Sequence, residues 1–289
     1  MNLIQRLYIF QKERFPLRIL LFTTLSSILA SSAIVDAEVN ILQLVIAFIV
    51  VMLFLFHIRA IDESRDFQLD ASLHPTRPVQ RGIVSVRQLL SISITGIAIS
   101  LFLAYISNLP SFIIAAGFVL FTFLAWKDFF IPSIFQHRPV LYHIINSPQM
   151  LLIQWLIYTI LTGSFQLNFL MILFILLIYN NIFLLEITRK VKVPKLDTTD
   201  TYSAHLGLQK TFIFQFILVL VGFAVFVIIL KEMDVNKRLL YYFGGFESIL
   251  ALLIFWKFKN KPKEITQKIS ELMAVLFYIS INILIYIAK

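Results

Sequence analysis

Four acidic residues at helical spacing form the part of the sequence that points most directly to chemistry. Asp62, Asp66 and Asp70 lie four residues apart, so a helix would place them on one face, with Glu63 beside them. Like charges at this spacing repel unless a cation lies between them. Oxygen ligands in a chain without cysteine favour Mg²⁺, which bridges carboxylates to phosphates. The alternative is a solvated helix end that Arg65 neutralises.

Basic residues follow this run closely. Pro75, Pro78 and Gly82 end the helix and fold the chain back, which brings Arg77 and Arg81 near the acids. Guanidinium groups suit phosphate oxygens because they donate two parallel hydrogen bonds. An equally weighted alternative is that both arginines mark the cytoplasmic side or contact lipid phosphates.

A second polar group interrupts an apolar stretch. Asn180, Asn181 and Glu186 are costly in hydrocarbon and indicate a buried polar site, although a Glu at a helix end can also be solvated. Arg189 and Lys190 follow and could bind an anion or hold the cytoplasmic side. A third segment, covering 126–130 and 137–143, combines aromatic, basic and imidazole groups. Its lone histidines are more often structural than catalytic.

The composition requires these groups to be positioned by membrane helices. The chain has 289 residues, of which 59% are hydrophobic and only 14% charged, with a mean hydropathy of +0.87. Soluble domains have about 25% charged residues, so a soluble globular enzyme is excluded. A helix needs about 20 apolar residues to cross a bilayer. We predict nine spans: about 16–35, 39–58, 87–107, 111–126, 147–163, 167–186, 210–230, 238–256 and 270–288.

The basic residues predict the orientation. With the N-terminus in the cytoplasm, all but four of the 25 Lys and Arg lie on the cytoplasmic side, and the C-terminus lies opposite. This asymmetry explains the net charge of +9 without nucleic-acid binding. Residues 1–15 suit a helix lying at the interface. The candidate functional loops, about 59–86, 127–146 and 187–209, then all face the cytoplasm.

These motifs resemble those of the UbiA superfamily of intramembrane prenyltransferases. That family's first motif, Asn-Asp-x-x-Asp-x-x-x-Asp followed by Arg-Pro and a Gly, is similar to the run from Asp62 to Asp70 with Arg77 and Gly82. Its second motif, Asp-x-x-Asp-x-x-x-Asp before Thr-Leu-x-x-x-Leu-Gly, matches 201–207 in its latter part. Upstream the chain departs from the motif, with Glu at the first acid position and a cation at the second. Asp197 and Asp200 are candidate substitutes that would need an insertion.

The resemblance implies one all-α transmembrane domain over 1–289, with nine helices around a cavity that opens to lipid. It implies Mg²⁺, an isoprenyl diphosphate that is ionised, and transfer of the prenyl group to a lipophilic, aromatic acceptor in a cytoplasmic membrane. A terpene cyclase of the same fold is the main alternative; a transporter or an inactive binding homologue is less favoured. The implied metal ligands are Asp62, Glu63, Asp66, Asp70 and Glu186, of which Asp66, Asp70 and Glu186 are the implied catalytic residues. The implied diphosphate ligands are Arg77, Arg81, Arg138, Arg189 and Lys190, and the residues that would contact substrate or support these ligands are Lys127, Tyr142, Asn181 and Tyr202.

Overall fold

The protein is built from helices throughout the part that the structure covers. The structure is a computed structural model that describes residues 1–35, 38–131, 139–193, 201–235 and 237–289. Within these ranges there is no strand. The helices are α1 (Leu3–Arg14), α2 (Leu17–Ile34), α3 (Ile41–Arg65), α4 (Phe67–Leu73), α5 (Val86–Ser107), α6 (Leu109–Trp126), α7 (Pro139–Asn146), α8 (Pro148–Thr162), α9 (Phe169–Arg189), α10 (Tyr202–Glu232), α11 (Arg238–Asn260) and α12 (Glu264–Tyr286).

Nine helical segments of the described ranges are long and apolar enough to cross a membrane. Between 28% and 50% of the residues in each span are buried inside the protein, so at least half of each span is not buried there. Because hydrocarbon offers no partner to a backbone polar group, continuous helices are the form such segments must take. The prediction of nine transmembrane helices is confirmed; the predicted orientation of the termini stays a prediction.

Two spans extend by more than four residues beyond their predicted ends. Helix α3 continues past residue 58 to Arg65, and α12 begins at Glu264 instead of near 270. In α10 the backbone kinks at Gly207 (φ 73°, ψ 161°), so the straight part of this span starts close to the predicted residue 210 and is preceded by a short helical segment from Tyr202. The additional turns are polar, so hydropathy alone does not include them. In α3 they are supported by ion pairs within the helix, from Arg59 to Glu63 and from Arg65 to Asp62.

The contacts divide the chain into two compact units. The first comprises Met1–Ile28, Ala37–Arg138 and Trp155–Phe165. In it α3 packs on α5 and α6, and a buried polar contact links all three helices. His57 of α3 lies 2.7 Å from Ser93 Oγ of α5 through Nδ1, and 3.0 Å from Thr122 Oγ1 of α6 through Nε2. Every ring nitrogen of this membrane-embedded histidine therefore has a partner.

The second unit comprises Leu29–Asp36, Pro139–Gln154 and Gln166–Lys289. Helix α10 packs on α9, α11 and α12, and α9 packs on α12. The contact of α9 with α10 is close at Gly222, where a Cβ would lie 2.9 Å from Asn180 Nδ2 and 3.0 Å from Asn181 Oδ1. Small residues permit such close helix packing in membranes. That 1–289 forms one domain stays a prediction.

Candidate functional site

The first acidic run lies where α3 passes into α4. Asp66 ends α3 and precedes α4, with φ −89° and ψ 6°. Across this junction Asp66 N donates to Asp62 O at 2.9 Å, and Asp70 N donates to Asp66 O at 2.8 Å. The helical hydrogen-bond register therefore continues from Asp62 to Asp70.

Two of these acids share one guanidinium. Arg65 donates from Nη2 to Asp62 Oδ1 at 3.0 Å and from Nε to Asp66 Oδ1 at 2.9 Å. The side chains of Asp62 and Asp66 are 31% and 40% exposed, so a ligand can reach both carboxylates. Arg65 itself is only 16% exposed, so both ion pairs are partly buried, with the carboxylates on their more accessible side.

The other two acids are buried against arginines of the same unit. Glu63 is 0% exposed, with Arg14 Nε at 2.6 Å and Arg59 Nη1 at 3.4 Å from its Oε1. Asp70 is 7% exposed; Arg77 Nη1 pairs with its Oδ1, and Arg14 Nη2 lies 3.9 Å from its Oδ2. Burial of these charges is tolerated because each has a cationic partner. Sequence reasoning missed Arg14, whose signal was only a basic residue in the last turn of an amphipathic helix.

Helix α1 is fixed beside this run by apolar packing. Phe10 and Phe15 lie in a buried cluster with Ala60, Val79 and Leu89, drawn from α3, the loop after α4 and α5. At the surface, the predicted diphosphate ligand Arg81 donates from Nη2 to both carboxylate oxygens of Glu13, at 2.7 and 2.8 Å. The N-terminal helix therefore touches the acidic run and also the basic loop that follows it.

Asp128 is a further acid of this unit that sequence reasoning did not select. It follows α6 in a short turn where Asp128, Phe129 and Phe130 all have positive φ, from 46° to 60°. Its Oδ1 is buried and has no hydrogen-bond partner. Burial raises the pKa of the Asp128 carboxyl, the charge of Arg65 opposes this shift, and the charge of Asp66 adds to it. Asp128 therefore belongs to the electrostatic surroundings of the acidic run. Its neighbour Lys127, a predicted substrate contact, places Nζ 4.2 Å from the ring centroid of Trp126.

The donor set of the first unit suits a hard divalent cation, although its acids are paired with arginines. Among the described residues, no three Asp, Glu or His side chains gather at metal-binding distance. Arg65 occupies the position between Asp62 and Asp66 instead. The partly exposed oxygens of these two aspartates are the kind of ligand that Mg²⁺ prefers, and one or two carboxylates suffice for this ion because waters and substrate phosphates complete its coordination. The residues present therefore fit such an ion once Arg65 turns away.

At the end of α9, a single acid lies between two cations. Arg189 Nη2 is 2.8 Å from Glu186 Oε2, and Lys190 Nζ is 3.0 Å from Glu186 Oε1. Tyr202 is buried at the start of α10, and its backbone N–H donates to Lys190 O at 2.9 Å. This hydrogen bond fixes the end of α9 against the start of α10.

The segment after α9 is held by hydrogen bonds to α10 and α12. Lys192 N donates to Ser203 Oγ at 2.9 Å, and Val193 N donates to Gln267 Oε1 at 3.0 Å. Lys192 Nζ pairs with Glu271 at 2.8 Å, and Gln267 Nε2 donates to the same carboxylate at 3.0 Å. The backbone just beyond Lys190 is thus ordered by side chains of its own unit.

The two predicted amides, Asn180 and Asn181, differ in the hydrogen bonds that their Nδ2 groups make. Asn180 Nδ2 donates to Leu218 O at 2.9 Å, whereas the buried Nδ2 of Asn181 has no hydrogen-bond partner. Arg138, Asp197 and Asp200 lie outside the described residues, as does the side chain of Tyr142. The site assignments made from the sequence stay predictions.

The comparisons with known proteins agree with this helical architecture. The model of the UbiA prenyltransferase family matches residues 19–281. A UbiA homologue from Aeropyrum pernix K1 is similar, with a TM-score of 0.69 and 11% identity over 92% of this chain and 97% of that one. So is a digeranylgeranylglyceryl phosphate synthase, with a TM-score of 0.66 and 15% identity over 98% of each chain.

A UbiA homologue from Archaeoglobus fulgidus, bound to DMAPP and Mg²⁺, has a TM-score of 0.62 and 14% identity over 96% of this chain and 98% of that one. No protein of curated function matches the sequence. The structural likenesses establish the fold, and the family model covers most of the chain from α2 to α12. The chain belongs to the UbiA prenyltransferase family.

Proposed function

We propose that the protein is a Mg²⁺-dependent intramembrane prenyltransferase that ionises an isoprenyl diphosphate and transfers the prenyl group to a lipophilic acceptor. Family membership supports this reaction class. The similar A. fulgidus protein binds DMAPP or GPP together with Mg²⁺. The observation that carries the proposal is the pair of backbone hydrogen bonds from Asp66 N to Asp62 O and from Asp70 N to Asp66 O, which keep three aspartates one turn apart at the end of a membrane span.

In this proposal the first unit holds the metal ion. Asp62 and Asp66 are the accessible ligands, and Asp70 is the third acid of the same face. Glu63 acts differently: it is fully buried and holds Arg14 and Arg59. When bound, Mg²⁺ neutralises the charge that the diphosphate gains as the C–O bond breaks.

Arginines of the run complete the charge balance. Arg65, which pairs with Asp62 and Asp66, and Arg77 beside Asp70 would donate hydrogen bonds to the diphosphate oxygens. The prenyl chain and the acceptor are apolar and reach the protein through lipid, with the charged loops on the cytoplasmic side. Ionisation of the diphosphate leaves a prenyl carbocation. The apolar spans exclude water, which would otherwise react with this carbocation before the acceptor does.

The first experiment measures diphosphate release from prenyl diphosphates of increasing length, with Mg²⁺ and without acceptor, together with mass spectrometry of the organic extract. We expect substrate binding with little release until a lipophilic acceptor is added. Mg²⁺-dependent release of a cyclic hydrocarbon or alcohol without acceptor would identify a terpene cyclase instead. Absence of both binding and release would refute an enzymatic role.

An isosteric substitution tests the metal ligands. Asp66→Asn removes a ligand charge and keeps the side-chain shape, so Mg²⁺-dependent turnover should fall at least 100-fold, an order of magnitude typical of lost charge stabilisation at a reacting group. The increase in melting temperature that Mg²⁺ produces should shrink as well. Glu38→Gln, a change at an exposed acid outside the run, is the matched control and should alter neither quantity. Unchanged Mg²⁺ dependence in Asp66→Asn would refute the assignment.

A further inference from the structure

In the second unit, two of the three acid positions of the family's second motif carry other residue types. The family's second motif has acids at three positions, the first, fourth and eighth. With Glu186 as the first, the fourth position is Arg189 and the eighth is Val193. Val193 is buried in an apolar cluster with Ile187, Tyr202 and other side chains. One of the three positions therefore carries a carboxylate, the second a guanidinium and the third a buried aliphatic group.

The remaining carboxylate is paired on both oxygens. Arg189 Nη2 and Nε lie 2.8 and 3.2 Å from Glu186 Oε2, and Lys190 Nζ lies 3.0 Å from Oε1. The other acid near the end of α9, Glu271, pairs with Lys192 at 2.8 Å. Within the described residues, these three cations and two acids sum to one positive charge; Lys195, Asp197 and Asp200 lie outside that part of the chain. The described charges at the end of α9 therefore favour an anion over a divalent cation.

We propose that Arg189 and Lys190 take the place of a second metal ion, so that the protein binds one divalent cation per chain, in its first unit. This inference rests on the proposed function. The guanidinium of Arg189 can donate two parallel hydrogen bonds to phosphate oxygens, and the ammonium of Lys190 adds a point charge.

Both side chains are accessible for this role. Arg189 is 54% exposed and Lys190 is 32% exposed, so their pairs with Glu186 are weak and can be exchanged for contacts to phosphate. The backbone that carries them is fixed, because Tyr202 N bonds to Lys190 O and Lys192 N bonds to Ser203 Oγ. The cations are therefore held in place while their tips remain able to turn towards an anion.

The stoichiometry of Mn²⁺ tests the inference directly. Purified protein in detergent is titrated with Mn²⁺ in the presence of geranyl thiodiphosphate, an unreactive analogue, and bound Mn²⁺ is counted by electron paramagnetic resonance. We expect one ion per chain. Arg189→Asp creates the missing acid three residues after Glu186 and should raise the count to two. Arg189→Gln should keep one ion and weaken analogue binding about tenfold, as expected for loss of a charged hydrogen-bond donor.

Further variants separate charge from position. Arg189→Lys should recover part of the analogue affinity lost in Arg189→Gln, because it restores the positive charge without the two parallel hydrogen-bond donors of the guanidinium. Lys268→Gln removes one exposed cation elsewhere in the same unit and serves as the control; it should leave both ion count and affinity unchanged. An equal loss of affinity in Lys268→Gln would mean that net charge, and not the end of α9, binds the analogue.

Two ions in the unaltered chain would overturn the inference, particularly if Glu186→Gln, Asp197→Asn or Asp200→Asn reduced the count to one. A count that stays at one in Arg189→Asp would also contradict it, because the missing acid would not be what excludes the metal ion. Analogue binding distinguishes the two proposals. Binding with two ions refutes only the present inference, whereas no binding of analogue or Mn²⁺ refutes the proposed function and this inference together.

Discussion

The ion pair between Arg14 and Glu63 should be among the most important single contacts for the stability of the first unit. Glu63 is 0% exposed; Arg14 Nε approaches its Oε1 at 2.6 Å, and its Oε2 has no hydrogen-bond partner. Arg14→Ala leaves the buried carboxylate with the longer contact to Arg59, at 3.4 Å. Removing one partner of a buried pair costs about 3–5 kcal/mol, and because Arg59 remains we expect about 3 kcal/mol.

The assay is equilibrium unfolding of the purified protein in mixed micelles, with sodium dodecyl sulfate as denaturant and circular dichroism as the signal. A loss of about 3 kcal/mol corresponds to an unfolding equilibrium constant roughly 100-fold larger. Arg6→Ala, on the same helix, is the matched control. Adding Glu63→Gln to Arg14→Ala should recover part of the loss, because the unpaired charge is then gone. If the double variant were no more stable than Arg14→Ala, the loss would come from helix packing and the electrostatic reasoning would be wrong.

Three other substitutions should change stability in the same assay. Asp128→Asn should stabilise the metal-free protein at neutral pH, where burial makes the charge of Asp128 unfavourable. This gain in the free energy of unfolding should vanish as the pH falls through the raised pKa of Asp128, because the carboxyl is then itself neutral. A pH-independent effect would contradict this cause. Gly222→Ala should cost about 1–3 kcal/mol because a Cβ would crowd Asn180 and Asn181, with partial recovery on Asn180→Ala; wild-type stability would exclude the close packing. His57→Leu should cost about 1 kcal/mol for two lost interhelical hydrogen bonds, and an unchanged midpoint would show that they contribute nothing.

The number of spans could be predicted from the sequence because apolar runs of membrane length have few alternatives. Their polar extensions could not be predicted in the same way. The last turns of α3 depend on pairs such as Arg59 with Glu63, which hydropathy counts against a span. Helix α12 likewise begins in a polar turn at Glu264, whereas α10 kinks at Gly207, whose φ of 73° lies in the left-handed region that glycine tolerates, and its straight part starts close to the predicted residue 210. Sequence reasoning therefore ended α3 and began α12 where the charge begins.

The candidate site was predictable where local spacing determines it. The one-turn spacing of Asp62, Asp66 and Asp70 follows from helix geometry, and backbone hydrogen bonds link the three residues in the structure. What each carboxylate contacts depends on residues distant in the chain. Arg14 reaches Glu63 across 49 positions, and nothing in the local sequence of either residue indicates the other. Asp128 was overlooked because a turn of three left-handed residues carries no sequence signal when two of them are Phe129 and Phe130.

The contact of Arg14 with Glu63 also constrains how the sequence can change over generations. Arg14 lies before residue 19, where the family match begins, whereas Glu63 lies within it. A neutral residue at position 14 would leave the buried carboxylate of Glu63 without its closest cation, and a neutral residue at position 63 would remove the partner of the half-buried Arg14 guanidinium. Neither position can therefore be substituted alone without a loss of stability. In descendants of this chain the two should be gained, lost or exchanged as a pair. A version trimmed to the shared segment would begin with that pair already broken.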